Sequence, residues 1–237
     1  MLFRSAALQN DRRRVGPALT LLTNGTVLNI STLNHVGPLI VDGGTLNLGT
    51  ASPNGLITVN GDATLGGGAR LFLSSSGARS GELSVTGRVT LAGCSLNLTT
   101  GSSTITSNTV VIRNDGTDPV VGTFTGLPEG STITNGLIRY RVSYVGGGGN
   151  SVTIEPIVEP SHLTGIECLP SGEKRISVQA QPGFRYVVEA TTSLLAPPAA
   201  TPWTPVSTNG TTPTGVFQFI DPDIALFPQR FYRAVQR

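Results

Sequence analysis

The chain has 237 residues, of which 13% are charged, and a formal net charge of +2 at pH 7. So small and dispersed a positive charge excludes a nucleic-acid partner read through a basic face. Thirty Gly and 16 Pro amid abundant Ser, Thr and Asn exclude long helices, and no apolar run approaches the roughly 18 residues that span a bilayer.

In chain order, Met1-Leu2-Phe3-Arg4-Ser5 matches the translation of a common sequencing-adapter end. These five residues are therefore expected to be artefactual, with the natural chain continuing upstream, and the lack of a visible secretory signal carries no weight. Residues 1–17 read as an irregular end, with Arg12-Arg13-Arg14 a solvated charge run rather than a phosphate site.

From residue 18 the chain alternates apolar and polar side chains in bursts of a few residues. One phrase recurs: PLIVDGGTLNL at Pro38–Leu48, GLITVNGDATLGGG at Gly55–Gly68 and GELSVTGRVTLAGC at Gly81–Cys94. Gly55 and Gly81 lie 26 residues apart, and Val59/Val85, Gly61/Gly87 and Leu65/Leu91 keep that offset. A period in the twenties, built of short strands and turn glycines, predicts stacked β coils. Their inward face would hold Leu39/Val41, Leu46/Leu48, Ile57/Val59, Leu71/Leu73, Leu83/Val85, Val89/Leu91 and Leu96/Leu98. The competing fold is a β-sandwich of tight hairpins.

Residues 101–158 change register. Strands are predicted at Thr109–Arg113, Gly122–Phe124, Ile138–Tyr144 and Val152–Ile154, the last two joined across Gly146–Asn150. Phe124, Tyr140 and Tyr144 supply larger side chains, suited to capping the stack. The series IRNDGTDPVVGTFTGLPEGSTIT and IRYRVSYVGGGGNSVTI, preceded by GGTLNL and VNGDATLGGG, resembles the autotransporter-associated β-strand repeat proteins over residues 36–158. That resemblance implies an exported, non-catalytic β-solenoid passenger region. Related sequences often place Gly-Gly-Asp-Gly-Asn-Asp at the last hairpin, where this chain has Gly146–Gly149, Asn150 and Ser151.

After the linker from Glu155-Pro156 to Glu159-Pro160, composition shifts: eight of thirteen aromatic residues follow residue 160. Strands are predicted at Leu163–Leu169, Arg175–Ala180, Tyr186–Ala190, Pro202–Ser207, Val216–Ile220 and Phe231–Val235, forming a small antiparallel β-sandwich with an aromatic core. Pro182-Gly183, Tyr186–Ala190, Trp203-Thr204-Pro205, Asp221 and Arg230–Arg233 resemble a C-terminal module of Verrucomicrobia-type extracellular proteins. The expected fold class is thus all-β: a parallel β-solenoid with capping hairpins over 18–158, then a small antiparallel β-sandwich over 161–237.

Chemistry is sparse. His35 and His162, expected at strand or linker edges, have no nucleophile in a motif setting and read as inert. The repeats carry only Asp42, Asp62 and Glu82; the first two adjoin turn glycines, where a carboxylate caps a turn. Gly146–Ser151 aligns with a calcium β-roll loop but puts Ser151 where an Asp ligand belongs, and Asp115 and Asp118 alone supply too few anionic oxygens. Cys94 reads as a small buried hydrophobe, with Cys168 in a different domain. Lys174, the sole lysine, follows a turn and is expected to be exposed, so no isopeptide cross-link is anticipated. Tyr186 and Trp203 offer faces for a sugar but read first as core.

The sequence therefore predicts no enzyme, catalytic residue, metal or cofactor. The reading is a structural or adhesive C-terminal part of a larger secreted or cell-surface bacterial protein, with surface glycans or other cell-surface proteins as partners. The alternatives are a carbohydrate-binding module or accessory end of a polysaccharide-degrading enzyme, and a terminal sorting signal.

Overall fold

The computed structural model describes residues 2–3, 14–15, 19–22, 27–30, 32–48, 55–76, 79–100, 105–195 and 198–237. Among them the fold is all-β, with several sheets, some of them parallel, and two single 3-10 turns. The chain divides into two units, Met1–Ile157 and Val158–Arg237.

The first unit opens with β1 (Leu2–Phe3), β2 (Arg14–Val15), β3 (Leu19–Leu22) and β4 (Val27–Ile30). Residues 1–17, expected to be irregular, thus hold two short strands, because each finds a parallel partner further along. The rest of that stretch, including Arg12 and Arg13, lies outside the described residues. The chain then repeats one itinerary: β5 (Thr32–Val36), β6 (Leu39–Asp42), β7 (Thr45–Leu48); then β8 (Leu56–Asn60), β9 (Ala63–Gly66), β10 (Arg70–Ser76). After β11 (Arg79–Ser80) come β12 (Glu82–Val85), β13 (Val89–Ala92) and β14 (Ser95–Thr100), and a further circuit begins with β15 (Thr109–Asn114) and β16 (Val121–Thr123).

Successive circuits pair strand for strand. The first strands form sheet I (β5, β8, β12, β15), the second strands sheet II (β6, β9, β13, β16) and the third strands sheet III (β7, β10, β14), parallel at each of these steps. In sheet I, Leu33, Ile57, Leu83 and Ile112 stand in register at spacings of 24, 26 and 29 residues. Side chains alternate across a strand, so every circuit turns the same positions inward. Leu39/Ala63/Val89, Val41/Leu65/Leu91 and Leu46/Leu71/Leu96 form buried columns. Each buried Leu or Val contributes about 1.5–3 kcal/mol over its exposed state. Of the fourteen side chains expected inward, Leu98 alone is only half-buried.

The corner between sheets I and II is a glycine column. Gly87 N–H donates to Gly61 O at 3.1 Å, and a Cβ on Gly61 would lie 2.8 Å from the carbonyl carbon of Gly37. Backbones approach too closely there for any side chain. This is why the 26-residue offset of Gly61 and Gly87 is kept.

The parallel run ends in an antiparallel hairpin. β17 (Thr132–Asn135), β18 (Ile138–Gly146) and β19 (Ser151–Pro156) add to β15 in the order β17-β18-β19-β15. Tyr144 latches this end: its hydroxyl donates to Leu127 O (2.6 Å) and accepts from Phe124 N–H (2.9 Å), while the two rings meet at 6.0 Å.

The second unit contains β20 (His162–Cys168), β21 (Lys174–Gln179), β22 (Arg185–Thr191), β23 (Thr204–Gly210), β24 (Val216–Asp221) and β25 (Phe231–Gln236). They make two antiparallel three-stranded sheets, IV (β20-β21-β24) and V (β23-β22-β25). Ile176, Val178, Tyr186, Val188, Ala190 and Phe217 are buried between strands, and Tyr186 stacks on Phe217 at 6.1 Å. The aromatic core is smaller than expected: Trp203, Phe219, Phe227, Phe231 and Tyr232 are half-buried.

Candidate functional site

The residues singled out for chemistry in the repeats serve the fold. Asp42 lies over Gly67, where a Cβ would collide with its carboxylate. Asp62 Oδ1 accepts Arg88 N–H at 2.9 Å, capping the next circuit's turn. Glu82 takes both arms of Arg113 (2.6 and 3.0 Å) across sheet I. A bidentate pair of this kind is satisfied and directed. Among the described residues no group of three or more His, Cys, Asp or Glu is placed to hold a metal ion.

His35 does not sit at a strand edge. It is buried within β5, in the column His35, Val59, Val85, Asn114. Its Nε2 is 3.2 Å from Pro38 O, and Nδ1 has no partner among the described residues. His162 opens β20 and is exposed. Cys94 is buried, and burial pushes its thiol up to about 12; both cysteines are free.

One cleft of about 490 Å³ lies between the turn Arg113–Thr117 and the loop Gly147–Ser151. Its walls bind one another. Asn114 Nδ2 donates to Asp118 O at 2.8 Å, Asn150 Nδ2 donates to Gly116 O, and Ser151 Oγ accepts Asn114 N–H at 3.3 Å. The amides and hydroxyl that line it are thus committed to fixing two turns. The sequence pattern that resembles a calcium loop persists here as turn geometry.

The second unit holds two charge clusters. Asp221, 1% exposed, accepts Arg230 Nη1 at 2.9 and 2.8 Å, the Tyr232 hydroxyl at 2.5 Å and Asp223 N–H at 3.0 Å. Asp221 ends a strand of sheet IV while Tyr232 belongs to sheet V, so the cluster ties the sheets together. Burial, then the bond to Asp221, raises the Tyr232 hydroxyl well above its ordinary range. The second cluster centres on Glu189, 3% exposed, which accepts Arg233 Nε at 2.7 Å and Arg237 Nη2 at 3.1 Å. Arg233 also lies over the Trp203 ring at 4.4 Å. Glu189 and Arg233 are direct register partners on β22 and β25.

Sequence reasoning picked out Asp221 and Arg230–Arg233 by resemblance but assigned them no role. Glu189 entered in the same way, within the Tyr186–Ala190 motif, and likewise drew no role. Tyr186 is buried and its hydroxyl accepts Gln181 N–H at 3.2 Å, which removes it as a sugar platform; Trp203 stays half-exposed. No protein-family model, curated protein or solved structure matches this chain. No helix among the described residues is long and apolar enough to cross a membrane.

Proposed function

We propose that residues 18–158 form a parallel β-solenoid with a capping hairpin and residues 161–237 a small antiparallel β-sandwich. On this reading the chain is a non-catalytic structural or adhesive part of a larger secreted or surface-exposed bacterial protein. The observation that carries the proposal is the registered itinerary through three sheets, repeated at about the same spacing, with apolar columns inward. Outward columns such as Asn34, Thr58 and Ser84 present polar groups. Backbone ladders stacked in this way resist extension as a block. The resemblance to autotransporter-associated repeats supports export, and the commitment of Asp62 to a turn cap and of Glu82 to an ion pair supports a role without catalysis.

Single-molecule pulling on the full chain tests the mechanical reading. The repeats are expected to rupture at a higher force than the second unit in the same molecule. Repeats that peel apart first would overturn it.

A second reading, glycan binding by the second unit, is favoured by the half-exposed Trp203, whose ring Arg233 covers while bonding the buried Glu189. A glycan array probed with the full chain checks this: binding abolished by Trp203→Ala supports it, and binding unchanged by that variant rejects it.

A further inference from the structure

Cys168 and Lys174 are register partners on β20 and β21, at the mouth of the turn that contains Pro170, Ser171 and Gly172. The Lys174 ammonium donates to Cys168 Sγ. The thiol is exposed and free, while the lysine is half-buried rather than exposed as the sequence had suggested. Neighbouring acids are engaged elsewhere: Glu167 accepts Arg175 at 3.0 Å, and Glu173 accepts the Ser171 hydroxyl at 2.7 Å. The chain's one lysine therefore rests on its one exposed thiol, although fifteen arginines occupy its other basic positions.

From this juxtaposition we propose that Cys168 and Lys174 form a peroxide-driven covalent clasp, a sulfur–nitrogen bond across the β20–β21 hairpin. The thiolate attacks one oxygen of a peroxide; the O–O bond breaks, sulfur is oxidised by two electrons to a sulfenic acid, and hydrogen peroxide is reduced to water. The Lys174 amine, after giving its ammonium proton to solvent, attacks Sγ. The S–O bond breaks and hydroxide leaves as water with a proton from nitrogen. The product is an S–N link, two hydrogens lighter than the starting pair.

Proximity decides this fate among the competing ones. A nucleophile already held on sulfur reacts at high effective concentration, ahead of a second peroxide or a thiol from another molecule. Cys94 cannot intercept the sulfenic acid, because it is buried in the first unit's core. The consequence is local: β20 is an edge strand whose seven residues are all exposed, and the clasp fastens its end to β21.

The test treats the full chain with hydrogen peroxide, followed by tryptic mass mapping and amine labelling. The expected result is a peptide ending at Arg175 rather than Lys174, lighter by two hydrogens, with loss of Lys174 labelling and full recovery of both under a thiol reductant. In Lys174→Arg, a sulfenic-acid trap should capture Cys168 instead; in Cys168→Ser, Lys174 labelling should survive peroxide. The proposal is overturned if peroxide takes Cys168 to sulfinic acid or an intermolecular disulfide while Lys174 remains labelled and cleavable.

Discussion

Gly87→Ala probes the glycine corner directly. An added Cβ would lie 2.4 Å from Asp62 Oδ1, 2.7 Å from the carbonyl carbon of Gly61 and 2.8 Å from its oxygen. Two of these three atoms are backbone, so no rotamer change relieves them. Displacing the Asp62 carboxylate also weakens the cap on Arg88 N–H, at a cost of about 1 kcal/mol. Overpacking of a fixed corner costs about 1–3 kcal/mol, and the lower entropy of the unfolded alanine chain returns about 0.4–1 kcal/mol. The net expectation is a loss of about 2 kcal/mol, which for a unit of this size lowers Tm by roughly 4–8 °C. Differential scanning calorimetry of the full chain follows the first unit's transition. Gly210→Ala, where a Cβ would meet no atom within 4 Å, serves as a control and should leave Tm within about 1 °C. A Gly87→Ala protein that melts with the wild type would refute the close-stacked corner.

Other expectations concern the buried groups. Asp221→Ala strands the Arg230 guanidinium, whose side chain is only 9% exposed, and should cost the second unit about 3–5 kcal/mol in a denaturant titration. The raised Tyr232 hydroxyl means the folded state holds that proton more tightly than the unfolded chain. Its contribution is therefore complete below pH about 10 and is lost as pH rises above that value. Alkaline melts of Tyr232→Phe should show a shallower decline of the second unit, and an unchanged slope would refute the assignment. Native alkylation near pH 8 should modify Cys168 alone, with Cys94 reacting only after unfolding, because the thiolate is the nucleophile and burial suppresses it. Equal labelling of both thiols in the native protein would contradict that burial.

Much of the fold was legible because its signals are local. Period-two alternation placed Leu39, Val41, Ile57, Val59, Leu83 and Val85 inward, and turn glycines marked strand ends. The six strands of the second unit fell near their predicted positions. What escaped reading depends on partners remote in sequence. His35 looked inert at an edge, yet register with Val59 puts it inside a column. Glu189 drew no role within its strand motif, because Arg233 and Arg237, which enclose it, lie 44 and 48 residues away. Trp203 was counted as core on size alone, whereas Arg233 covers it with charge rather than with another ring. The Cys168–Lys174 contact depended on hairpin register, which the Pro170-Ser171-Gly172 turn only brackets.

The antiparallel hairpin at β17–β19 bears on self-association. A ladder of parallel strands presents an open template at its terminus, and an identical molecule supplies the matching strand. Here the last added strand of that sheet is β17, four residues of Thr-Ile-Thr-Asn running against its neighbour, while the adjacent sheet stops at the three exposed residues of β16. A second molecule arriving end-on meets a reversed strand on sheet I and only three residues on sheet II, while β14 ends sheet III as a six-residue parallel strand. Sheets I and II thus give an end-on copy no continuous parallel template at this terminus.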